Sequence, residues 1–406
     1  MAKQVAVIGG GWAGCAAALE LSERGCTVTL FEASRTLGGR ARGVEVNGKL
    51  LDNGQHILLG AYSATLRVMK LAGVDAGTAL LSLPLQMRYP DTHTGMDFVA
   101  PRLPAPLHLL GALMRAKGLA WADKMALSRF STTARWMDWQ LNVDCSVAEL
   151  LARFDQTERL IQLMWRPLCL AALNTPPERA SARVFLNVLR DSLGARRAAS
   201  DMLLPRRNLS ALFPDAAARK FTVRLGTAIN DLAEVAGFDA VVLATPPAVA
   251  ARLAPQAGIP AFDYEPITTC YLQYTENTRL PLPFYALVDD AAAGRWGQFV
   301  FDRGQLDAEA AGLMAVVVSA SGEAAALDQA ALAEAIGAQL GLGTPLWSRV
   351  ITEKRATFAC TPNLQRPDNR TPDPRLVLAG DYTKSDYPAT IEAAVRSGVA
   401  AARLLA

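Results

Sequence analysis

The chain has 406 residues, 51% of them hydrophobic and 19% charged, with a formal net charge of +3. This length fits two domains, or one large domain with an insertion. The net charge is too small to argue for a nucleic-acid partner, the three histidines are too scattered for a metal site, and no apolar run reaches the roughly 18–20 residues of a membrane span.

Mean hydropathy is +0.16, on the greasy side for a water-soluble chain. The start, Met1-Ala2-Lys3-Gln4, leads straight into a strand pattern and leaves no room for a signal peptide, so a cytoplasmic location is expected. Six cysteines (Cys15, Cys26, Cys145, Cys169, Cys270, Cys360) form no C-x-x-C pair and read as reduced, mostly buried thiols.

Val5-Ala6-Val7-Ile8 is a continuous apolar run, as expected of a buried parallel strand. Gly9, Gly11 and Gly14 follow at dinucleotide-site spacing: the first for a tight turn, the second for backbone approach to a pyrophosphate, the third for close helix packing. Residues 13–21 form the helix whose N-terminal amides face the phosphates. A second strand, Thr27-Val28-Thr29-Leu30-Phe31, ends at Glu32, where an acid can accept hydrogen bonds from ribose hydroxyls. A lone G-x-G-x-x-G is weak; the strand–turn–helix–strand–acid context makes it strong.

Next comes Leu37-Gly38-Gly39-Arg40, whose glycines expose amides and whose arginine offers a fork for a phosphate; the plainer reading is a turn with a solvated arginine. Leu51-Asp52-Asn53-Gly54-Gln55-His56 sits between a strand and a helix, with Gly54 letting the backbone pass close to a flat ring.

Residues 70–200 read as mainly helical, with helices expected over 120–141, 147–154 and 182–193. Within residues 100–140, Arg102, Arg115, Lys117, Lys124, Arg129 and Arg135 are opposed only by Asp123 and Asp138. The same stretch holds Trp121, Trp136 and Trp139 and the greasy run from Leu107 to Met114. That mixture fits a helix lying in a membrane interface, and equally a helical hairpin packing its apolar face into the core. Strands are expected over 221–225, 239–244, 268–274, 297–301, 313–319 and 346–352, and a helix over 328–340.

Near the C-terminus an apolar run, Leu376 to Ala379, reaches Gly380-Asp381, and a helix is expected from Thr390 to Leu405. The Asp can bond a ribitol hydroxyl, and the helix N-terminus at Thr390 and Ile391 can stabilise negative charge on a reduced flavin. A dinucleotide site split between the two ends of a chain suggests FAD, a long ligand gripped at several places. The fold class is therefore α/β: a Rossmann-like FAD-binding domain (residues 1–70, 200–250 and 350–406) interleaved with an α+β substrate domain (71–199 and 251–349) that contains a helical block.

These strings are similar to those of the amine oxidase / carotenoid desaturase superfamily of FAD enzymes. VIGGGWAG at 7–14, LGGRAR at 37–42 and the C-terminal LAGDYTKSDYPATIEAAVRSG at 378–398 carry that resemblance. LDNGQHILLGAY at 51–62 and WRPLCLAALNTPPERAS at 165–181 more specifically resemble its squalene-associated branch, the hydroxysqualene dehydroxylases of bacterial squalene and hopanoid biosynthesis. One departure is the connection 226–238, too short for the β-hairpin usual there. It leaves Ile229 as the residue expected to back the adenine.

The resemblance implies exchange of an allylic hydroxyl for hydride on a C30 isoprenoid. This needs reduced flavin, a proton for the leaving hydroxyl, and a dry apolar tunnel. The helical block would supply the tunnel and residues 100–140 its mouth, peripheral on the inner face of the cell membrane. For the acid, His56 is the first candidate, though it could equally hold the loop or cofactor; Tyr62, Asp386 and Tyr387 are weaker ones. Arg166 and Asn174 would line the pocket or pin helices together. Cofactor contacts are expected from Gly9, Gly11, Gly14, Glu32, Gly39, Arg40, Gly54, Gln55, Ile229, Gly380, Asp381, Thr390 and Ile391. No second dinucleotide motif identifies an electron donor. Carotenoid desaturation, amine oxidation and a non-catalytic prenyl-lipid carrier of the same fold remain as alternatives.

Overall fold

The computed structural model describes residues 2–194 and 196–406. Five parallel strands form one sheet in the order Thr222–Leu225, Thr27–Glu32, Gln4–Ile8, Ala240–Leu243, Leu376–Leu378. Strand Gln4–Ile8 lies at the centre: Val5 pairs with Val28 on one side and with Ala240 on the other. Chain segments more than 360 residues apart thus complete one sheet. The short connection 226–238 does not disturb it, since one 3₁₀ turn at Leu232–Val235 bridges the two strands.

Helix Trp12–Glu23 and the C-terminal helix Ile391–Leu405 pack against each other beside this sheet. Small residues permit this. A Cβ on Gly398 would lie 2.1 Å from Ala13 O, and Cys15 to Ala18 are fully buried. One carboxylate then ties a third helix in. Glu392 accepts hydrogen bonds from Ala64 N (3.0 Å), Thr65 N (2.9 Å) and Thr65 Oγ1 (2.8 Å), at the start of helix Ser63–Leu71, and from Arg396 Nε (2.7 Å).

A second, antiparallel sheet runs Phe284–Ala286, Phe299–Asp302, Leu313–Ser319, Tyr264–Gln273, Trp347–Phe358. Its middle strand, Leu313–Ser319, is buried throughout, and helix Gln329–Leu340, capped by Asp328, packs on the neighbouring strands Tyr264–Gln273 and Trp347–Phe358. Strand Trp347–Phe358 pairs along its whole length with Tyr264–Gln273. The expected domain boundary at 350 therefore falls inside a strand of the second sheet, and the return to the first sheet begins beyond Phe358. The expected strand over 346–352 is a long one because both ends of its partner are paired.

The helical block is shorter than expected. Residues 80–99 are not helical but form strands Leu80–Leu83, Gln86–Arg88 and Asp97–Val99. Pro84 interrupts any helix there, and Leu80–Leu83 finds an antiparallel partner in Met202–Pro205, far along the chain. Helices proper begin at Leu107–Arg115 and Trp121–Trp136. Trp165 anchors the block, with its ring centroid 4.4 Å from that of Phe130 and its Nε1 donating to Gln156 Oε1 (2.9 Å). Asn174 pins the block to the second sheet. It takes the left-handed conformation (φ 46°), donates to Glu265 O and Thr357 Oγ1, and accepts from Ala320 N. Arg166 makes only an exposed pair with Glu178. All six cysteines are free thiols, five of them buried. Among the described residues no cluster has the makings of a metal site, and no helix is long and apolar enough to cross a membrane.

Candidate active site

The glycine loop has the geometry its spacing requires. Gly9 has φ 108°, and a Cβ there would lie 2.4 Å from Ala244 O. A Cβ on Gly14 would lie 1.9 Å from Gly9 O, so only glycine lets the helix sit this close to the strand. Around the absent Cβ of Gly11, by contrast, nothing is nearer than Gly39 Cα at 3.9 Å, leaving that face of the backbone open. Gly39 itself has φ 62°, and Gly38 N donates to Gly10 O (2.9 Å), so the two glycine loops form one cradle. Glu32 closes it: Oε2 accepts from Gly10 N (2.6 Å) and Oε1 from Ser34 N (2.7 Å). Ile229 is buried on a loop tied to the same strand end through Thr227 N and Glu32 O (2.9 Å).

Arg40 brings the two ends of the chain together. Its Nη2 meets Asp381 Oδ1 at 2.7 Å and its Nη1 donates to Ala356 O at 2.7 Å, so its fork is spent on protein groups. Gly380 packs on the ring of Tyr382 and donates its N–H to Ser397 Oγ (3.0 Å). Thr390 caps the C-terminal helix through Ala393 N, one residue before Ile391 opens it.

Three buried hydroxyls beside this cradle have no hydrogen-bond partner: Thr245, Thr269 and Tyr382. Thr245 adjoins Gly9, Thr269 adjoins Gly54, and Tyr382 adjoins Gly380. Orphaned buried polar atoms are uncommon. Their placement at three glycine motifs fits a long polar ligand with a flat ring system, so the residues present fit FAD.

Behind Gly54 lies a polar cluster that sequence patterns do not predict. Gln55 Oε1 accepts from the buried Arg303 (3.0 Å), Asp52 Oδ1 accepts from Leu209 N (2.8 Å), and Asp52 O accepts from Tyr271 Oη (2.8 Å). Burial pushes the Asp52 carboxyl up to about 6, against the opposing pull of Arg303 and the Leu209 amide. His56 Nδ1 lies 2.6 Å from Gly54 O; since a carbonyl only accepts, Nδ1 carries the proton. Burial holds the imidazole below its ordinary value. In this neutral form Nε2 is an acceptor.

From this cradle a largely apolar cavity of about 400 Å³ runs into the helical block. Two π-helical turns, Ile161–Trp165 and Arg190–Gly194, both contribute to its wall, as π-turns often do at functional sites. Leu109, Leu110 and Leu113 line it from helix Leu107–Arg115, and Ser128, Ser131 and Arg135 from helix Trp121–Trp136. At the other end it reaches Tyr62, Tyr387, Pro388, Thr390 and Glu392. Of the four acid candidates, Tyr62 and Tyr387 line the cavity. His56 does not, and Asp386 is exposed on the surface and does not reach it. Burial first, and then Glu392, pushes the Tyr62 phenol up.

Tyr387 Oη donates to Asp191, and Asp191 is also held by Arg190 Nε (2.8 Å). Burial pushes the Asp191 carboxyl up, but these two hydrogen bonds outweigh it and hold it below the usual range. Burial, then Asp191, pushes Tyr387 up to about 12. Arg366 fixes the loop that presents Tyr387 by donating to the carbonyls of Asp381, Ser385 and Tyr387.

The outer faces of the two cavity helices carry exposed apolar side chains. Trp136 is 86% exposed, Trp121 68% and Met114 61%, and Leu107 and Met125 of the same two helices are exposed as well. Arg102, Arg115, Lys117, Arg129 and Arg135 are exposed among them.

The family model for flavin containing amine oxidoreductases matches residues 12–406. The chain belongs to that family. It is an FAD-dependent oxidoreductase, and a non-catalytic lipid carrier is set aside. It is 29% identical over 447 residues to the hydroxysqualene dehydroxylase of Rhodopseudomonas palustris, covering 100% of this chain and 99% of that one. It is 24% identical to the 15-cis-phytoene desaturase of Synechococcus elongatus, covering 97% of this chain and 94% of the other. Among solved structures, an oxidoreductase from Methanosarcina mazei superposes with a TM-score of 0.73 at 14% identity, covering 98% of this chain and 99% of that one, and so shares the fold.

Proposed function

We propose that this protein converts hydroxysqualene to squalene at a membrane surface. The observation that carries this reading is the cavity: about 400 Å³, walled by aliphatic and aromatic side chains from the helical block, and reaching Thr390 at the start of the C-terminal helix. Full-length similarity to a hydroxysqualene dehydroxylase supports the same substrate. Net reaction replaces R–OH with R–H: the carbon gains a hydride and the hydroxyl leaves as water after gaining a proton. Bound FAD, in its reduced state, supplies the hydride.

The chain's own residues would hold the cofactor and keep the cavity dry, with the proton drawn ultimately from solvent. Gly9, Gly11, Gly14, Gly39, Gly54 and Gly380 would leave room for the cofactor, and Glu32, Asp381, Ile229, Gln55, Thr390 and Ile391 would be the residues that hold it. His56, donating its Nδ1–H to Gly54 O, positions the Gly54 loop. Leu113, Leu168, Phe185 and their neighbours keep water from an allylic cation. Arg40 acts as a clasp between the two halves of the cradle through Asp381, not as a free phosphate fork.

The exposed face of helices Leu107–Arg115 and Trp121–Trp136 supports delivery from a bilayer. Exposed tryptophans with leucines and interspersed cations are the composition of interfacial helices, and burying them in headgroups removes apolar surface from water. Co-expression with an enzyme that makes hydroxysqualene, followed by mass spectrometry of extracted lipids, tests the reading. Accumulating squalene supports it; persistence of the alcohol overturns it.

A further inference from the structure

We infer that Asp191 and Tyr387 form a subsite that binds the substrate's hydroxyl and selects an alcohol over a hydrocarbon of the same length. The inference rests on the reading of a hydroxylated isoprenoid substrate and assigns two residues to its one polar group.

Few polar groups reach the cavity wall near the cradle, and most have no capacity left. Glu392 already accepts four hydrogen bonds, which fills a carboxylate. Thr390 Oγ1 accepts from Ala393 N and donates to Pro388 O, and Ser192 Oγ donates to Val188 O (2.6 Å), which leaves Ser192 only a neutral, weaker acceptor. Asp191 is different. It accepts one bond from Arg190 and one from Tyr387, so about two of its acceptor positions remain free. The hydroxyl of Tyr387 spends its proton on Asp191 and keeps its oxygen lone pairs. Both side chains therefore face the cavity as acceptors with no proton to offer, a match for an O–H donor. Gln86, also on the wall, is a neutral amide, whereas hydrogen bonds to an ionised carboxylate are roughly twice as strong.

The pair is also held before any ligand arrives. Asp191 lies in the Arg190–Gly194 π-turn, whose closing Gly194 packs on Trp139: a Cβ there would lie 3.2 Å from Trp139 Nε1. Tyr387 is gripped through its carbonyl by Arg366 Nη1 (2.9 Å), and its ring lies 4.6 Å from the Arg396 guanidinium. A preorganised acceptor loses little on binding, so its contribution appears as selectivity.

Competitive uptake tests this without turnover. Oxidised, FAD-loaded protein is incubated with detergent micelles carrying equal amounts of hydroxysqualene and squalene, re-isolated, and its bound lipid quantified by mass spectrometry. Wild type is expected to favour the alcohol by about 10- to 100-fold, the range for a hydrogen bond to a charged acceptor. Asp191→Asn should bring the ratio close to one while squalene uptake is kept. Tyr387→Phe leaves the Arg190–Asp191 pair in place and should lower the ratio part-way, giving a second reading if Asp191→Asn misfolds. A wild-type ratio near one, or a preference that survives both substitutions, overturns the inference. Product analysis is a separate readout. Squalene formation with unaltered selectivity sinks this subsite and leaves the proposed reaction standing; selectivity lost in the variants without any squalene formed does the reverse.

Discussion

The flavin cradle and the apolar cavity are built on opposite principles. In the cradle, backbone does the work. Gly9, Gly14 and Gly398 are required because a Cβ would lie 2.4, 1.9 and 2.1 Å from a carbonyl oxygen. In the cavity, side chains do the work: the wall is mostly leucines, alanines and aromatics, and no glycine among the described residues lines it. Backbone-determined sites tolerate almost no substitution and leave a strong local signature. Side-chain-determined sites accept repacking at constant volume and leave almost none.

Substitution should break that symmetry most visibly at the cradle. Gly14→Ala and Gly398→Val are each expected to cost roughly 3 kcal/mol or more, because helix and strand, or helix and helix, must separate. Purified variants should carry little flavin, read from visible absorbance. Gly237→Ala is the control, as its Cβ would enter open space and should leave flavin content unchanged. Near-normal flavin in Gly14→Ala would refute the claim that close packing sets this residue. On the cavity side, Leu168→Met should leave flavin content intact and cost less than about 1.5 kcal/mol.

A smaller effect is expected at the outer face of the cavity helices. Replacing Trp121, Trp136 and Met114 together with serine should leave thermal stability almost unchanged, since exposed sites usually contribute within about 0.5 kcal/mol each. Binding to anionic vesicles, measured by co-sedimentation, should fall about tenfold or more, because each residue gives up apolar area that would leave water. Raised salt should weaken wild-type binding through Arg102, Arg115, Lys117 and Arg129. Vesicle binding that is unaffected by the triple substitution would exclude this face as the contact.

The same contrast explains what was legible in the sequence. Gly9, Gly11 and Gly14 could be assigned separate roles because each role is a local backbone requirement; a Cβ would meet a backbone oxygen at Gly9 and Gly14, while the space beside Gly11 is open. The split between chain ends was legible for the same reason. Short strands such as Leu80–Leu83 were not, because their partner is Met202–Pro205 and no local period marks so distant a pairing. Asp191 and Tyr387 are 196 residues apart, and nothing in either string names the other. One faint signal existed: Asp191 continues the stripe of Val184 and Val188, a charge where helix periodicity calls for an apolar residue. Arg40 shows the converse, a residue whose motif suggested a ligand and whose fork is taken up by Asp381 and Ala356.

The seam between the two regions offers the finest test. Asp52 ends the short strand Lys49–Asp52 just before Gly54, yet it is bonded to Leu209 N and Tyr271 and sits near Arg303, which follows strand Phe299–Asp302 of the second sheet. Its carboxyl, at about 6 in the fold, lies above the roughly 3.9 of an unfolded aspartate, so the native state holds the proton more tightly. The stabilisation is complete below about pH 4 and is lost as pH rises towards about 6, with a total on the order of 1–3 kcal/mol. Unfolding by urea across that window should therefore show the stability difference between wild type and Asp52→Asn changing with pH, and constant above it. Arg303 pulls the carboxyl down, so Arg303→Gln should move the upper end of the window to higher pH. Parallel curves for wild type and Asp52→Asn would mean that Asp52 is solvated after all, and that the seam is wetter than its burial implies.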